Sequence, residues 1–336
     1  MHKKKVLFIC GSLNQTLMMH QISMQMNEYD CCFTPYYGDK FLNFCAKLGI
    51  LDFSILGGSF RRNTENYLRR HNLKIDYRGL NNDYDLVYTC SDLIIPKNIR
   101  DKKIILVQEG MTDPENIFFH LIKYFNLPRW IAGTSANGIS NLYDLFCVAS
   151  EGYKDFFIRK GAKSKKILVT GIPNFDNARQ YLNNDFPHRN FVLVATSDSR
   201  ETFKYENRKK FIKQCLEIAD GRQLIFKLHP NEKFDRAIRE INKYAPGALV
   251  FTKDNTNHMI ANCDILITKY SSVVYVGMAL GKEVHSAFDL EELKRLVPLQ
   301  NNGTSAERIA RIGTYLLEEP NTTLDDIHAE FDLKTA

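Results

Sequence analysis

The feature that most constrains the fold is an alternation of short apolar runs with longer amphipathic segments along the chain. Near-continuous apolar strands separated by helix-length segments are typical of parallel sheets that helices cover on both faces. The pattern therefore predicts an α/β protein with doubly wound parallel sheets. The predicted strands are 5–11, 52–58, 85–90, 103–110, 144–150, 166–173, 190–196, 223–230, 248–252, 264–272 and 283–288.

The strand pattern pauses once, in the polar and Asn-rich segment 177–190, and then begins again. A chain of 336 residues is also long for one ordinary core. We therefore predict two Rossmann-like domains, residues 1–182 and 183–336, with a cleft between them. Ligands of open α/β sheets bind at the carboxyl ends of the strands, so candidate site residues are those that directly follow strands.

Charge and hydropathy narrow the class of partner. The net charge of +6 is mild, which favours an anionic small molecule or a membrane surface and argues against nucleic acid. The first apolar run is too short for a signal peptide, and no apolar window is long enough to span a bilayer. We expect a cytoplasmic protein that can associate peripherally with the inner face of the membrane. The arginine-rich segment 59–74 is either its docking element or a solvated helix face.

Cysteines and glycines exclude some kinds of site. None of the eight cysteines forms a C-x-x-C pair, so we expect buried, reduced thiols rather than a zinc site or a disulfide framework. The turn at 9–16 contains a glycine but lacks a full G-x-G-x-x-G, so a dinucleotide fingerprint is not supported. We predict neither a bound metal nor a cofactor.

The segment "LITKYSSVVYVGMALG" carries the main anion-site prediction. A helix is expected to begin at Ser271 or Ser272, directly after a buried strand, with Lys269 beside it. Free N–H groups and the positive end of the helix dipole favour phosphate there. The alternative is that one of the serines is only an N-cap.

A second candidate lies in "FKLHPNE", where a strand ends at His229 before a proline. His229 could contact a phosphate or protonate a leaving group near neutral pH, or it could be a structural histidine. Lys227 lies two residues earlier, on the same side of the strand. It is a candidate for phosphate binding, and the alternative is a solvated side chain. In "VATSDSRET", Thr196 is a candidate phosphate-binding residue or a loop cap, and Arg200 either clamps a phosphate or pairs with a neighbouring side chain.

In the first domain, Asp92 and Glu109 follow predicted strands in "YTCSD" and "LVQEGMTD". A carboxylate at this edge of a sheet could act as a general base. The alternative for each is an ion-paired structural role.

These segments resemble those of known families. "KYSSVVYVGMALGKEV" and "KLHP" look like signature segments of the CDP-glycerol glycerophosphotransferases, which build polymers of the teichoic acid type. "KILVTGIPNFDNA", "YTCSD" and "VQEG" resemble segments of the UDP-N-acetylglucosamine 2-epimerases. Both families share the glycosyltransferase-B (GT-B) fold, and the likeness spans most of the chain. It implies a nucleotide diphosphate held by Ser271 and Ser272 and assisted by His229. Gly171 would line the hinge side of the cleft, with Glu109 or Asp92 opposite as base.

The chain departs from both families. The second glutamate of the epimerases falls near Thr134, and their His-Arg pair is replaced by the loop 197–200. Lys269 stands where the glycerophosphotransferases have an aspartate, and Tyr275 or Val276 replaces an acidic residue that grips ribose.

The function that we predict is a metal-independent transferase of cell-envelope glycan or glycolipid synthesis. It would move a sugar or glycerophosphate-type group from a CDP- or UDP-linked donor to a hydroxyl on a glycan or a lipid-linked acceptor. The alternatives are an epimerase of sugar nucleotides and a non-catalytic nucleotide-binding homologue. The sequence leaves open whether the protein forms a homodimer.

Overall fold

The computed structural model describes residues 3–52, 54–112, 115, 117–125, 127–197, 199–201 and 205–332. The chain divides into two compact units. Unit 1 comprises Met1–Asp176 and Asn301–Ala336, and unit 2 comprises Asn177–Gln300. Each unit is built around one sheet in which the described strands are all parallel.

Unit 1 contains a six-stranded sheet in the order β2-β1-β3-β4-β5-β6. Its strands are β1 (Lys5–Cys10), β2 (Asp30–Pro35), β3 (Leu86–Thr89), β4 (Lys103–Val107), β5 (Leu145–Val148) and β6 (Ile167–Val169). Its helices are α1 (Leu13–Ser23), α2 (Lys40–Lys47), α3 (Gly58–Arg70), α4 (Ile117–Phe125), α5 (Glu151–Lys160), α11 (Ser305–Glu318) and α12 (Leu324–Phe331). Every residue of β3 and β5 is buried, as expected for strands that are covered on both faces.

Unit 2 contains a five-stranded sheet in the order β11-β10-β7-β8-β9. Its strands are β7 (Val192–Ala195), β8 (Leu224–Lys227), β9 (Leu249–Phe251), β10 (Ile265–Thr268) and β11 (Glu283–His285). Its helices are α6 (Arg208–Ala219), α7 (Phe234–Tyr244), α8 (Thr256–Asn262), α9 (Val274–Ala279) and α10 (Leu290–Leu296). The strand order reverses between β7 and β10, and this reversal is the point at which open α/β sheets bind ligands.

The predicted fold class is confirmed, with two errors in the strands. The prediction missed β2, an edge strand whose sequence DCCFTP lacks an apolar, β-branched run although four of its six residues are buried. The predicted strand 52–58 is wrong for its described residues, which form turns that lead into α3. There the Asp52 carboxylate accepts the N–H of Gly58, whose φ is +56°. A side chain at Gly58 would lie 2.2 Å from the Asp52 carbonyl oxygen, so the turn requires glycine.

The units do not follow the predicted boundaries. The prediction assigned 301–336 to the second domain, whereas Asn301–Ala336 belongs to unit 1. The Tyr88 hydroxyl on β3 donates to the carbonyl of Ile309 at 3.2 Å, and the Lys103 ammonium donates to the carbonyl of Leu316 at 2.8 Å. These bonds attach α11 to unit 1, and such a return of the chain leaves no periodic signal in the sequence.

The polar segment 177–190 is an ordered part of unit 2. The Asn262 side chain donates to the Asn184 side chain at 2.7 Å, and the Asn190 N–H donates to the carbonyl of Asn262 at 3.2 Å. Phe186 is buried against Phe251. The asparagine amides of this segment bond to the backbone and to each other. The same asparagine-rich composition is typical of linkers, which is why the segment was predicted to be one.

Candidate functional site

Glu109 directly follows β4 and lies against the start of α1. The Ser12 hydroxyl donates to Glu109 Oε1 at 2.7 Å, and the Gln15 amide donates to Oε2 at 2.5 Å. Ser12 is also the N-cap of α1 and accepts the backbone N–H of Gln15 at 3.2 Å. Each carboxylate oxygen has two acceptor positions, so each keeps one for a further proton donor. Glu109 is half-buried and is held in a fixed orientation.

Asp92 follows β3 and is fully buried. Its Oδ1 accepts the N–H of Gly138 at 2.6 Å, and its Oδ2 accepts the N–H of Ser140 at 2.8 Å. The Arg129 guanidinium donates to its carbonyl oxygen at 3.2 Å. This geometry favours the structural alternative for Asp92, because both carboxylate oxygens already hold backbone N–H groups that would otherwise be buried without partners.

Gly171 follows β6, is buried and has a φ of +73°. A side chain there would lie 2.4 Å from Ser305 Oγ and 2.5 Å from Asn301 Nδ2. The carboxylate of Asp176 accepts the N–H of Ser305 at 2.8 Å, at the start of α11, and burial raises the pKa of Asp176. The surroundings of Gly171 therefore favour a packing role against α11.

In unit 2, a buried chain of charged side chains lies beneath the carboxyl ends of three strands. The Arg208 guanidinium pairs with Glu206 at 2.6 Å and with Glu232. Glu206 also lies 3.4 Å from the ammonium of Lys269. The side chains of Arg208, Glu206 and Glu232 are each at most 3% exposed, and the two acids balance the two bases. Buried charges of this kind are tolerated only when they are paired.

The carboxylate of Glu232 also fixes the loops after β7 and β8. It accepts the hydroxyl of Thr196, and it accepts the backbone N–H of His229 at 3.0 Å. Thr196 Oγ1 accepts the same His229 N–H at 3.0 Å. The N–H of Asn231 donates to Nδ1 of the His229 ring at 3.2 Å, which leaves the proton of the neutral imidazole on Nε2. Thr196 is therefore a buried positioning residue, and His229 is half-buried at the edge.

The two other cations predicted in the loops after β7 and β8 are already bonded within unit 2. The buried Lys227 ammonium donates to the carbonyls of Leu228 at 3.0 Å and Thr252 at 3.3 Å. Burial lowers the pKa of Lys227. The Arg200 guanidinium pairs with both carboxylate oxygens of Glu240, at 3.0 and 2.9 Å. For Arg200 the geometry favours the salt-bridge alternative over a phosphate clamp.

Lys269 follows β10 and is partly buried. Its ammonium lies near Glu206, as described above, and 4.7 Å from the centre of the Phe211 ring. A cation over an aromatic face and beside a carboxylate is stabilised where it is. Lys269 therefore belongs to the buried charged network beneath the carboxyl edge of this sheet, and its positive charge is compensated there.

Ser271 and Ser272 lie in a turn before α9, since the helix begins at Val274 and not at a serine as predicted. The Ser271 and Ser272 carbonyls accept the N–H groups of Val274 and Tyr275, at 3.3 and 3.1 Å. Among the described residues, no hydrogen-bond acceptor lies opposite the backbone N–H of Ser271 or of Ser272. Ser271 and Ser272, two partly exposed residues, thus bring two adjacent N–H donors and two hydroxyls to the switch point between β7 and β10.

A cavity of about 360 Å³ opens beside this turn, between α6 and the carboxyl ends of β10 and β11. Thr268, Lys269, His285 and Ser286 contribute to its lining. The buried hydroxyl of Thr268 has no hydrogen-bond partner in the described part of the chain. The Ser286 hydroxyl donates to the carbonyl of Lys269 at 3.0 Å, which ties together the loops that follow β10 and β11.

Comparison with known proteins bears on the fold. No protein-family model and no curated protein sequence matches this chain. A structure of a putative UDP-N-acetylglucosamine 2-epimerase from Listeria monocytogenes aligns at a TM-score of 0.58 with 13% identity, over 95% of this chain and 98% of that one. A UDP-GlcNAc 2-epimerase from Methanocaldococcus jannaschii, in complex with UDP-GlcNAc and UDP, aligns at a TM-score of 0.53 with 14% identity, over 93% and 99%.

The chain has the GT-B fold. The wall teichoic acid polymerase TagF also aligns, over 98% of this chain and 84% of that one, but at a TM-score of 0.44 with 14% identity, so we draw no argument from it. The resemblance predicted from the sequence is therefore confirmed at the level of the GT-B fold. At these identities, the likeness concerns the fold alone.

Several residues that shape the carboxyl edges of the two sheets were not predicted from the sequence. Ser12 and Gln15 lie in the glycine-bearing turn, and Glu232 ends the quoted segment "FKLHPNE". Glu206 and Arg208 precede or begin α6 and gave no signal, because charged residues near a helix start look solvated. Only Glu232 had a local signal in the sequence, since it is an acidic residue three positions after His229, which ends a strand.

The described residues also bear on metals and membranes. No group of three or more His, Cys, Asp or Glu side chains in them is arranged to hold a metal ion. Asp83 and Asp85 are two closely spaced carboxylates, a residue type that can bind metal ions. They precede β3 and therefore lie at the opposite edge of the sheet from Glu109. Asp83 pairs with Lys102 at 2.7 Å, and Asp85 accepts the N–H of Lys5 at 2.8 Å. None of the described helices combines the length and the hydropathy that a membrane span needs.

Proposed function

We propose that this protein binds a nucleotide-diphosphate-activated donor at the carboxyl edge of the unit 2 sheet. We further propose that it transfers a sugar or glycerophosphate-type group from the donor to a hydroxyl acceptor. The observation that carries the proposal is the pair of adjacent N–H groups at Ser271 and Ser272, which have no partner among the described residues at the switch point. Exposed backbone N–H groups at such a position favour phosphate oxygens.

The charges around this turn indicate how a diphosphate would be held. Lys269 and Arg208 are balanced by Glu206 and Glu232, so these four side chains add no net charge. The diphosphate would therefore be held by N–H groups and hydroxyls, with His229 beside them. Such fixed donors also stabilise the charge that develops on the leaving group, a nucleoside diphosphate in sugar transfer or a nucleoside monophosphate in glycerophosphate transfer. We expect no metal requirement for this reason.

Two further observations support a nucleotide ligand. The cavity beside the turn, at about 360 Å³, lies within the range of small-molecule pockets. Structures with the same fold include a UDP-GlcNAc 2-epimerase in complex with UDP-GlcNAc and UDP, and another bound to UDP-GlcNAc. We infer that this chain takes a ligand of the same chemical class.

Glu109 is the base in this proposal. Its carboxylate is oriented by Ser12 and Gln15 and keeps acceptor capacity, so it can take the proton of an acceptor hydroxyl. For a sugar donor, the acceptor oxygen would then attack the sugar carbon as the bond to the nucleoside diphosphate breaks. For a glycerophosphate-type donor, it would attack the distal phosphorus as the bridging bond to the nucleoside monophosphate breaks. We propose a glycan or lipid-linked hydroxyl of the cell envelope as acceptor.

The second candidate is a sugar-nucleotide epimerase, because solved structures with the same fold carry that name. The geometry favours it less. Elimination and re-addition need a matched acid and base, whereas both carboxylate oxygens of Asp92 already accept backbone N–H groups. Incubation with UDP-N-acetylglucosamine alone, followed by NMR, separates the two: an epimerase yields an inverted sugar or free UDP without an acceptor.

Ligand-induced stabilisation tests the proposal directly. Thermal unfolding is measured with CDP, UDP, GDP, CMP and their sugar conjugates. A specific ligand at one hundred times its Kd should raise the free energy of unfolding by about 2.7 kcal/mol. Donor consumption with candidate acceptors then separates a transferase from a non-catalytic binding protein.

A charge substitution locates the ligand. Ser272→Asp places a negative charge at the turn and should weaken nucleotide binding at least tenfold, while Ser164→Asp, an exposed serine in unit 1, should leave it unchanged. Equal affinity of Ser272→Asp and the unmodified chain would refute the proposed phosphate site.

A further inference from the structure

Helix α4 in unit 1 is apolar on both its inner and its outer face. Phe119 and Ile122 are buried and pack with Ala132 and Ala136. On the other side, Tyr124 is 84% exposed. A helix with large apolar side chains on both faces is normally buried on both. Although α4 also exposes His120 and Lys123, its other exposed side chains are apolar or aromatic and have no apolar neighbour among the described residues to cover them.

The exposed apolar surface extends beyond the helix. We call it the α4 surface, and its large side chains are Ile117, Phe118, Leu121, Tyr124, Phe125, Leu127, Trp130 and Ile131. Eight such side chains within fifteen residues form a concentration rather than the scattered apolar exposure that is normal for soluble proteins.

A second apolar helix lies at the same edge of the sheet. Helix α2 has no buried residue, and Phe41, Phe44, Leu48 and Ile50 in and after it are between 58% and 73% exposed. Helix α2 follows β2 and α4 follows β4, so both leave the carboxyl edge of one parallel sheet.

The segment 92–97, after β3, connects these two regions. Asp39, the N-cap of α2, accepts the N–H of Lys97 at 3.0 Å. Arg129, which follows α4 and lies between Leu127 and Trp130 of the α4 surface, donates from its guanidinium to the backbone carbonyl of Asp92 at 3.2 Å.

The charges beside the apolar side chains indicate the kind of surface that covers them. The stretches 40–50 and 117–131 contain Lys40, Lys47, Lys123 and Arg129 but no Asp or Glu. The nearest carboxylate before α4 in the described residues, Glu115, lies 3.8 Å from Nε2 of His120, so the basic side chains remain in excess. This combination matches a bilayer that contains anionic lipid, where basic residues meet headgroups and apolar side chains enter the boundary of the acyl chains. Tyr124 and Trp130 are residue types that settle at that interface. A second copy of the chain would instead bring like charges together.

We propose that the α4 surface and α2 attach this protein peripherally to an anionic membrane. The segment 59–74 was predicted to be either a docking element or a solvated helix face, and in α3 two of its arginines, Arg61 and Arg69, lie within 4 Å of Glu65. The attachment does not require nucleotide binding. Glu109 directly follows β4, at the same edge, so the attachment would bring this carboxylate near a lipid-linked hydroxyl, and that last point rests on the proposed function.

Vesicle co-sedimentation of the full chain tests the attachment. We expect binding to phosphatidylcholine vesicles that contain about one third phosphatidylglycerol, with at least a tenfold weaker partition onto pure phosphatidylcholine or at high salt. The variant Leu121→Gln/Tyr124→Gln/Phe125→Gln should lose at least tenfold in binding, because these side chains are exposed and their loss spares the core. The matched control Leu182→Gln/Leu290→Gln, exposed in unit 2, should bind like the unmodified chain.

Two results would overturn the proposal. One is that the unmodified chain remains in the supernatant with anionic vesicles. The other is a concentration-dependent dimer in sedimentation velocity that the triple variant abolishes, because a second copy would then cover the surface. The thermal shift caused by nucleotide should be the same in the triple variant and the unmodified chain, so failure here is distinguishable from failure of the proposed nucleotide site.

Discussion

Arg208 and Glu232 form an ion pair in unit 2 in which the two side chains are only 3% and 1% exposed. Through Glu232 the pair fixes Thr196 and the backbone of His229, and through Glu206 it reaches Lys269. The loops after β7, β8 and β10 are thus held by one buried network. This arrangement makes the candidate phosphate site rigid before any ligand binds, which lowers the conformational cost of binding.

Removal of Glu232 should destabilise the protein strongly. Glu232→Ala leaves the Arg208 guanidinium buried with one partner fewer, and breaking such a pair costs about 3–5 kcal/mol of unfolding free energy. Chemical unfolding followed by circular dichroism measures the loss. The exposed pair of Lys165 and Asp325 provides the control, since Lys165→Ala should cost less than about 1 kcal/mol. Similar losses in the two variants would contradict the structural importance of the network.

Substitution of Glu109 should separate catalysis from binding. Glu109→Gln keeps the size of the side chain but removes the base, so transfer should fall by about 100- to 10,000-fold. The thermal shift caused by the nucleotide should stay the same, because Glu109 belongs to unit 1 and the proposed phosphate site to unit 2. Full transfer activity in Glu109→Gln would exclude Glu109 as the base.

An added methyl group at Gly171 should reduce stability and leave nucleotide binding intact. Its φ of +73° is unfavourable for alanine, and the new carbon would lie 2.4 Å from Ser305 Oγ. We expect Gly171→Ala to lose about 1–3 kcal/mol of unfolding free energy. Gly281→Ala is the matched control, because Gly281 has a φ of +69° and open space around it. A weaker nucleotide shift in Gly171→Ala alone would instead support the predicted place of Gly171 in the lining of the ligand cleft.

The stability of unit 1 should depend on pH through His20. Burial, and then the charge of His71, lower the pKa of His20 below its ordinary value of 6.5. The folded state therefore binds fewer protons than the unfolded state between the two pKa values. Stability should fall as the pH drops through 6.5 towards the lower folded pKa, by at most about 1.4 kcal/mol per pH unit from this group.

Comparison of variants isolates this effect. His20→Gln should flatten the dependence of the unfolding midpoint on pH between 7.5 and 5, because glutamine does not titrate. His120→Gln, at a side chain that is 67% exposed, should leave the dependence as it is in the unmodified chain. An unchanged slope in His20→Gln would show that the acid sensitivity arises elsewhere.

The local pattern of the sequence was sufficient for the fold class and for most strands. Buried parallel strands need continuous apolar runs, and the polar residues that follow them mark the carboxyl edge of a sheet. This is why Glu109, His229 and the two serines could be located from sequence. The edge strand β2 escaped because its four buried residues, Cys32, Phe33, Thr34 and Pro35, do not form a continuous apolar run.

Only the tertiary structure decided which of the residues at strand ends are already hydrogen-bonded or ion-paired within the protein and which can still bind a ligand. Asp92 bonds to residues 46 and 48 positions away, and Arg200 to Glu240, 40 positions away. Partners at such separations are chosen by packing and leave no periodic trace in the sequence. The same reason explains the return of α11 to unit 1, since the chain records its own local preferences but not which distant surface will bury them.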